Sequence, residues 1–553
     1  MSASQQTSHE SIKQVVIVGG GTAGWLAANH LANNLATNTA DGVNVTLIES
    51  PNIPTVGVGE GTVPMMRQSL QSLGISETDF IRECDATFKQ GIKFVDWLHN
   101  PIAGKPDYYH HIFDYPHIHD VDLTPYWLKA HQAQTQGSGL ASSTSENLCT
   151  SYVDYVALQG KICDAGLAPK QITTPEYQGN TAYAYHLDAG KFSALLTRNA
   201  TERLGVKHVL AEVVNVLQAD NGDITAVETD TAGTIAGDLF IDCTGFSALL
   251  IGDKLNVPFI DKSDVLFADH AVVMQVPYQD PQADIVSHTV SSAQTAGWIW
   301  DIGLQTRRGV GHVYSSNHTS HEQAEQALRN YVEASSALGN RADNLGTIKT
   351  QDINTRVIKM KVGYREKFWQ NNCVALGLSQ GFVEPLEATG LLVFDVTAKM
   401  LAEQFPTCRA EMPLIANLFN QRMRESWDKV IDFIKLHYCI SKRDDSDFWL
   451  DNRSSTSIPD SLQERLERWR YQPPTKYDFF SGVEIFNLEN YLYVLYGMHY
   501  PTASELLSTK TNQVAQADAY RQWLEQQSEQ ALKHLPSNRE LINKIKQYGF
   551  KKL

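Results

Sequence analysis

The sequence predicts a two-lobed α/β (α+β) fold, a parallel sheet with an interleaved second lobe, followed by a mainly helical C-terminal region. Three observations predict it. The 553 residues exceed what one simple core accommodates. A short β-branched apolar run, Gln14-Val-Val-Ile-Val18, leads straight into spaced glycines and then into helical composition. From Ala410 onward, Ile415, Leu418, Phe419, Met423, Trp427, Ile431, Phe433 and Ile434 recur at near-helical spacing.

Composition narrows the classes. Hydrophobic content of 42% and charged content of 20% are ordinary for a globular protein. A formal charge of -16 argues against nucleic-acid partners, which demand clustered Lys and Arg. Residues 1–13 read as a disordered N-terminus without the apolar region of a signal peptide. No stretch reaches the roughly 18 apolar residues of a membrane span, so no membrane partner is expected. Seven scattered cysteines contain no C-x-x-C, which predicts no metal site and no disulfide framework. Buried thiols in a reducing cytoplasm are the expectation.

At the first turn, Gly19-x-Gly21-x-x-Gly24 is followed by helical Trp25-Leu-Ala-Ala-Asn-His-Leu-Ala, and Val43-Asn-Val-Thr-Leu-Ile48 forms a second strand ending on Glu49. Gly19 permits the tight turn, Gly21 lets backbone approach a pyrophosphate, and Gly24 lets helix pack on strand. Thr22 and Ala23 belong to the same cofactor-binding turn, where an anion meets the free N–H groups of a helix start. Glu49 is placed to accept hydrogen bonds from a ribose. Strand, glycines, helix, strand and acid in this order predict a dinucleotide site. In Val56-Gly-Val-Gly-Glu-Gly-Thr-Val-Pro64, which holds Gly59 and Glu60, three glycines in five residues suit a loop lying flat on a planar ligand. Read alone, a plain flexible loop fits equally well.

Gly237-Asp-Leu-Phe-Ile-Asp-Cys-Thr-Gly-Phe246 resembles the return strand of glutathione-reductase-like FAD folds, with Asp242 at its end. That resemblance implies FAD; an ordinary strand-to-turn is the alternative. Many two-lobed FAD proteins are aromatic hydroxylases, with a late Gly-Asp-Ala-x-His-like segment on the ribityl chain. The matching place here reads Asn372-Cys-Val-Ala-Leu-Gly-Leu-Ser-Gln-Gly381, with Gly377 as the cofactor contact. It continues as Phe382-Val-Glu-Pro-Leu-Glu-Ala-Thr-Gly-Leu391. This string, Cys84-Asp-Ala-Thr-Phe-Lys-Gln-Gly-Ile-Lys-Phe-Val-Asp-Trp97 and Trp298-Ile-Trp-Asp-Ile302 together resemble the flavin-dependent tryptophan halogenase family, whose label is W-x-W-x-I. Trp427 to Tyr438 and Arg443 to Trp449 match it too, so the resemblance spans roughly residues 14 to 500.

The resemblance implies a chemistry. Reduced FAD and O2 provide an electrophilic oxygen, and chloride or bromide attacks it to give hypohalous acid. The backbone amides of Thr389 and Gly390 are the implied halide site. Lys89 is implied as the essential catalytic residue and Glu387 as its acidic partner. The ammonium either hydrogen-bonds the reagent or, as free amine, forms a haloamine. Glu387 either polarises the reagent or takes the proton lost on rearomatisation. Trp298, Trp300 and Ile302 form the motif whose indoles deny substrate access to the flavin. The family continues the motif with proline; Gly303 replaces a fixed φ with a free one and loosens the backbone there.

For the substrate, His111 and Phe113 in Tyr109-His-His-Ile-Phe113 match the His and Phe that sandwich an indole in this family. Free-tryptophan halogenases hold the amino-acid ends with paired Tyr, a Glu and a Trp before an Asn-Tyr-Tyr-like segment. Between Tyr471 and Tyr493 no Tyr-Tyr pair precedes an acid, Phe486 stands where Trp is expected, and Asn490 opens Asn-Tyr-Leu-Tyr. Ala388 also replaces a Ser common in relatives. A bare or larger indole, a phenol or a peptide-borne aromatic is expected at least as readily as free tryptophan.

The resulting architecture is a glutathione-reductase-like, Rossmann-type FAD-binding fold with an interleaved substrate lobe over residues 14–405. Its FAD parts are about 14–95, 205–255 and 370–405, and residues 406–553 form a mainly helical region closing the substrate site. The stretch from about 503 reads as solvated helix and Gly137 to Ser145 as a Gly/Ser-rich loop. The leading function is an FADH2-dependent halogenase fed by a separate NAD(P)H-dependent flavin reductase, since no second nucleotide fingerprint appears. An FAD hydroxylase with a structural Lys89 is the alternative, and a non-catalytic flavin-binding protein the third. A homodimer is the assembly considered.

Overall fold

The computed structural model describes residues 10–35, 37, 42–53, 59–102, 105–116, 121–136, 151–337, 348–479, 484–503, 507 and 510–551. The expected N-terminal disorder up to residue 9, the Gly/Ser-rich stretch 137–145 and loop residues 56–58 lie outside them. Residues 10–13 are tied down instead of disordered: Ile12 is buried, Ser11 bridges Cys408, and the Lys13 N–H bonds Asp238 at 2.8 Å.

The first strand, β1 (Gln14–Val18), is apolar and buried on both faces, as a central parallel strand must be. It feeds α1 (Thr22–Asn34), and β2 (Asn44–Glu49) returns parallel beside it, Val15 opposite Val45. The chain then leaves this sheet. β3 (Gly59–Gly61) and β4 (Thr87–Lys89) flank β7 (Ala184–Asp188) in a small antiparallel sheet, while β5 (Gly91–Val95) and β6 (Tyr108–Ile112) enter the second lobe. The expected FAD part 14–95 is thus divided after Glu49. β8 (Lys207–Leu210) and β9 (Leu239–Asp242) bring the chain back parallel to β2 and β1.

The second lobe continues with β10 (His270–Pro277), β11 (Thr289–Gln294), β12 (Gly297–Gly303), β13 (Arg307–Tyr314) and β14 (Thr355–Lys359). Its seven strands run in the order β14-β10-β13-β12-β11-β5-β6. Every residue of β12 is buried because both faces are covered. Ile299 packs with Val272, Val310 and Leu328 beneath helix His321–Ala337, and the alternate residues Trp298, Trp300 and Ile302 point into the main core.

β15 (Trp369–Gln370) and β16 (Cys373–Ala375) complete the first sheet, whose order is β15-β16-β9-β1-β2-β8. α2 (Thr389–Glu403) then packs on α1. Twenty-eight residues of α3 (Met412–Cys439) follow, started by a proline in its first turn and burying Phe419, Met423, Trp427, Val430 and Ile434. α4 (Leu488–Gly497) lies against β6. The terminal α5 (Asn538–Tyr548) departs from the expected solvated helix: it buries Leu541, Ile542 and Ile545 and packs on helix Glu77–Glu83. Among the described residues, no helix is long and apolar enough to cross a membrane, and no group of His, Cys, Asp and Glu is arranged to hold a metal.

Candidate active site

The glycine turn is fixed by close approach. Gly19 holds φ +115°, and a Cβ there would lie 2.2 Å from the Cys243 carbonyl oxygen. A Cβ on Gly24 would lie 1.9 Å from the Gly19 oxygen. On Gly21 it would meet nothing within 4 Å, and Gly21 caps α1 without any side-chain hydrogen bond. No side chain caps the first-turn N–H groups of Thr22 and Ala23, which leaves them available to an anion such as a pyrophosphate. Gly377, at φ +72°, lets the return segment pass Ala23, where a Cβ would come within 2.6 Å. Glu49 ends β2 beside Gly20, part-exposed and bonded to His208 Nε2 at 2.8 Å.

Asp242, at the end of β9, is engaged within the chain. Its buried carboxylate accepts from the Thr244 N–H and hydroxyl and from the N–H groups of Leu250 and Ile251, at 2.7 to 3.0 Å. It braces the turn rather than reaching outward. Glu60, on β3, is pushed up to about 7 by burial and then by Asp188. Gly59 beside it packs against Ile302 and Leu304.

The start of α2 offers a second anion site. Ala388 precedes it in the left-handed region (φ 56°, ψ 34°), and no side chain caps the helix. The Thr389 hydroxyl oxygen is buried without a hydrogen-bond partner, and a Cβ on Gly390 would meet nothing within 4 Å. Free N–H groups and the positive end of the helix dipole converge there.

Lys89 closes β4 and is buried. Its Nζ donates to the Thr62 carbonyl at 3.1 Å and stands 5.4 Å from the Phe113 ring centroid. A Cβ on Gly61 would lie 3.1 Å from that nitrogen, so a side chain there would crowd the ammonium. Burial pushes Lys89 down to about 8, opposed by the Glu387 charge. Glu387 Oε1 lies 2.9 Å from His111 Nδ1 and 2.9 Å from His437 Nε2. Burial raises this carboxyl, but His111 and His437 outweigh it and hold it down to about 2. Three residues earlier, Glu384 Oε2 accepts from the Trp298 indole N–H and the Tyr438 hydroxyl, each at 2.6 Å.

Trp298 and Trp300 share a face of β12, with ring centroids 6.2 Å apart. Trp300 lies across Gly311 of β13, where a Cβ would sit 2.3 Å from the indole. Gly303 is packed rather than loose. Its carbonyl accepts from the Thr87 hydroxyl at 2.6 Å, and a Cβ would come 2.9 Å from Ile285.

On the substrate side, His111 Nε2 lies 2.9 Å from Asn490 Oδ1 of α4. Phe433 of α3 sits edge-on to His111, and Phe486 stacks on Phe433 at 4.1 Å rather than on His111. Glu484 is tied to Arg465 at 3.0 Å, and both are buried.

This geometry has counterparts. A family model described as tryptophan halogenase matches residues 14–513. The chain belongs to the tryptophan halogenase family. It is similar to the tryptophan 6-halogenase SttH of Streptomyces toxytricini, 36% identical over 493 residues, covering 88% of this chain and 89% of that protein. The tryptophan 7-halogenase RebH of Lentzea aerocolonigenes is 34% identical over 471 residues, covering 83% of this chain and 82% of its own. A crystal structure of tryptophan halogenase from Shewanella frigidimarina NCIMB 400 superposes with TM-score 0.89 at 43% identity, covering 98% of this chain and 99% of that one. This protein is therefore a flavin-dependent halogenase with a Rossmann-type FAD-binding fold, and it works with FAD and a halide.

In this halogenase the fold brings Lys89, Phe113, Glu387 and His111 into one cluster, with Thr389 and Gly390 two and three residues beyond Glu387. Sequence reasoning missed the Thr62 carbonyl, Glu384, Phe433 and His437. For the last two a signal existed: Phe433 and His437 stand four apart on a helix and so share a face.

Proposed function

We propose that this halogenase uses FADH2 and O2 to oxidise chloride or bromide and places the halogen on an electron-rich aromatic of indole type, free tryptophan being one such substrate but not a required one. The reading is carried by the buried cluster of Lys89, Phe113, Glu387 and His111. A separate NAD(P)H-dependent flavin reductase is the proposed source of FADH2, in keeping with the single glycine fingerprint. The names of the relatives, tryptophan 6- and 7-halogenases, support an indole ring. The Glu484–Arg465 pair supports a substrate other than the free amino acid, because an acid already neutralised is a poor anchor for an ammonium.

Reduced flavin, when bound, supplies together with O2 the two-electron oxidation that turns halide into hypohalous acid. The rest falls to the chain. The Thr389 and Gly390 N–H groups hold the desolvated halide. Lys89 as ammonium, the form favoured by the Thr62 carbonyl and the Phe113 ring, donates to the reagent's oxygen and weakens the O–X bond. The C–X bond forms as O–X breaks, hydroxide leaves as water with a proton from Lys89, and the ring proton passes to Glu387. Trp298 and Trp300 wall the flavin from the ring.

The test is a competition. The protein, a flavin reductase, FAD, NADH, O2 and bromide are mixed with equal indole and L-tryptophan, and products are weighed by mass spectrometry. Brominated indole at least equal to brominated tryptophan, with no product when bromide is omitted, is expected. Hydroxylated product without halide would defeat the reaction class, and exclusive bromination of tryptophan would defeat the substrate reading.

A further inference from the structure

We propose that Glu489 selects the substrate by taking up an alkylammonium arm, so that the preferred aromatic is an indole-type ring with a short cationic chain and no carboxylate. The proposal rests on the reading of His111 and Phe113 as the pair that holds the ring.

The position of the carboxylate follows from its helix. Glu489 stands in the first turn of α4, which lies against β6. The next residue, Asn490, has its Oδ1 2.9 Å from His111 Nε2 and its Nδ2 3.3 Å from Glu489 Oε1. One amide group therefore separates the carboxylate from the imidazole. A two-carbon arm, roughly 4 Å from ring carbon to nitrogen, suits that spacing. The charge of Glu489 also bears on Tyr115, two residues beyond Phe113, and on Tyr493.

This carboxylate has no cation of its own. Burial pushes its pKa above the usual value, against its own backbone N–H, His111 and Asn490. Among the described residues, no Lys or Arg pairs with it. Glu484, five residues earlier, differs, since Arg465 answers it at 3.0 Å. Arg465 also donates to the Tyr491 hydroxyl of α4 at 3.0 Å. The helix thus presents one unanswered acid, while the guanidinium that touches it is already engaged. A half-buried carboxylate of this kind gains by accepting an ammonium. A carboxylate on the substrate would meet like charge there and no free guanidinium.

The local sequence has the same sign. Residues 114–122, which follow Phe113, and 480–493, which contain Phe486 and Asn490, include Asp114, Asp120, Asp122, Glu484 and Glu489. Neither stretch contains Lys or Arg. That balance favours a cationic arm and disfavours an anionic one. A Glu in a first turn also complements the helix dipole, a role indifferent to what the substrate carries. Substrate dependence therefore separates the two roles.

The experiment uses the full chain with FAD, a flavin reductase and bromide, and compares kcat/KM for tryptamine, indole, L-tryptophan and 3-indolepropionate. Tryptamine is expected to exceed indole at least tenfold, with 3-indolepropionate the poorest of the four. Glu489→Gln should cut the tryptamine-to-indole ratio at least tenfold, and Glu489→Lys should place 3-indolepropionate above tryptamine. A Glu489→Gln protein that slows every substrate alike, leaving the ratio unchanged, overturns the proposal in favour of the dipole role. Where the variants do not fold, the wild-type comparison decides, because tryptamine no better than indole also overturns it. Brominated indole without that advantage defeats the Glu489 proposal alone. Bromination of L-tryptophan with neither indole nor tryptamine accepted defeats the underlying substrate reading as well.

Discussion

Lys89 is a lysine buried where water would serve it better, and its energetics follow from that. Burial lowers its pKa to about 8 from an ordinary value of 10.5, so the folded protein binds this proton more weakly than the unfolded chain. Stability then rises with pH between these two values, and at neutral pH the buried ammonium costs on the order of 3 kcal/mol. Replacing it by methionine removes that cost. Lys89→Met is therefore expected to raise Tm at pH 7 by a few degrees in flavin-free thermal unfolding while abolishing halogenation. The gain should shrink toward pH 10; a variant less stable than wild type at pH 7 contradicts this account. Activity is expected to change the other way with pH. If the ammonium delivers the reagent, log kcat falls as pH rises through about 8, and a rise through that range would favour the haloamine route instead.

At the scale of elements, the nucleotide turn separates glycines that serve the fold from one left open to a ligand. Gly24→Ala drives a Cβ to 1.9 Å from backbone, whereas Gly21→Ala meets nothing. Gly24→Ala is accordingly expected to lower both apo-protein Tm and FAD affinity. Gly21→Ala should leave apo Tm unchanged and weaken FAD about tenfold or more in a fluorescence titration. Equal apo destabilisation by both would refute the distinction. These elements were legible because their signals are local: β-branched runs, spaced glycines and a strand ending on Glu49 lie within forty residues. The branching of the chain after Glu49, which sends β3 and β4 to one sheet and β5 to another, has no such local signal. Long-range pairing such as Ile92 with Thr289 depends on tertiary packing. The two-faced burial of β12 was half visible, since the indole pair marked one face while helix His321–Ala337 supplies the other.

Over the whole molecule, distant segments meet to define the cluster. Motif residues Lys89, Glu387 and the indole pair were legible because long strings carry them. His437 and Phe433 carried only the weak signal of a shared helix face, and the second role of Asp242, bracing its own turn, is invisible at a strand end because its partners Leu250 and Ile251 lie eight and nine residues on. The C-terminal helix was also misjudged, its polar surface masking a buried stripe. Asn538 there donates to the carbonyls of Phe88 and Val286, and Arg539 to those of Ala283 and Gln305. Ending the chain after His534 should lower Tm and cut halogenation about tenfold, through misplacement of β4, with FAD binding retained. Full activity of the truncated protein would remove this tether from the account. The central claim is that halide oxidation at the flavin and halogen delivery at Lys89 occur in separate places. Single-turnover reaction of reduced FAD with O2, bromide and indole in Lys89→Ala tests it most directly. Flavin reoxidation at the wild-type rate without bromoindole is the predicted result, and bromoindole formed at the wild-type rate would contradict it.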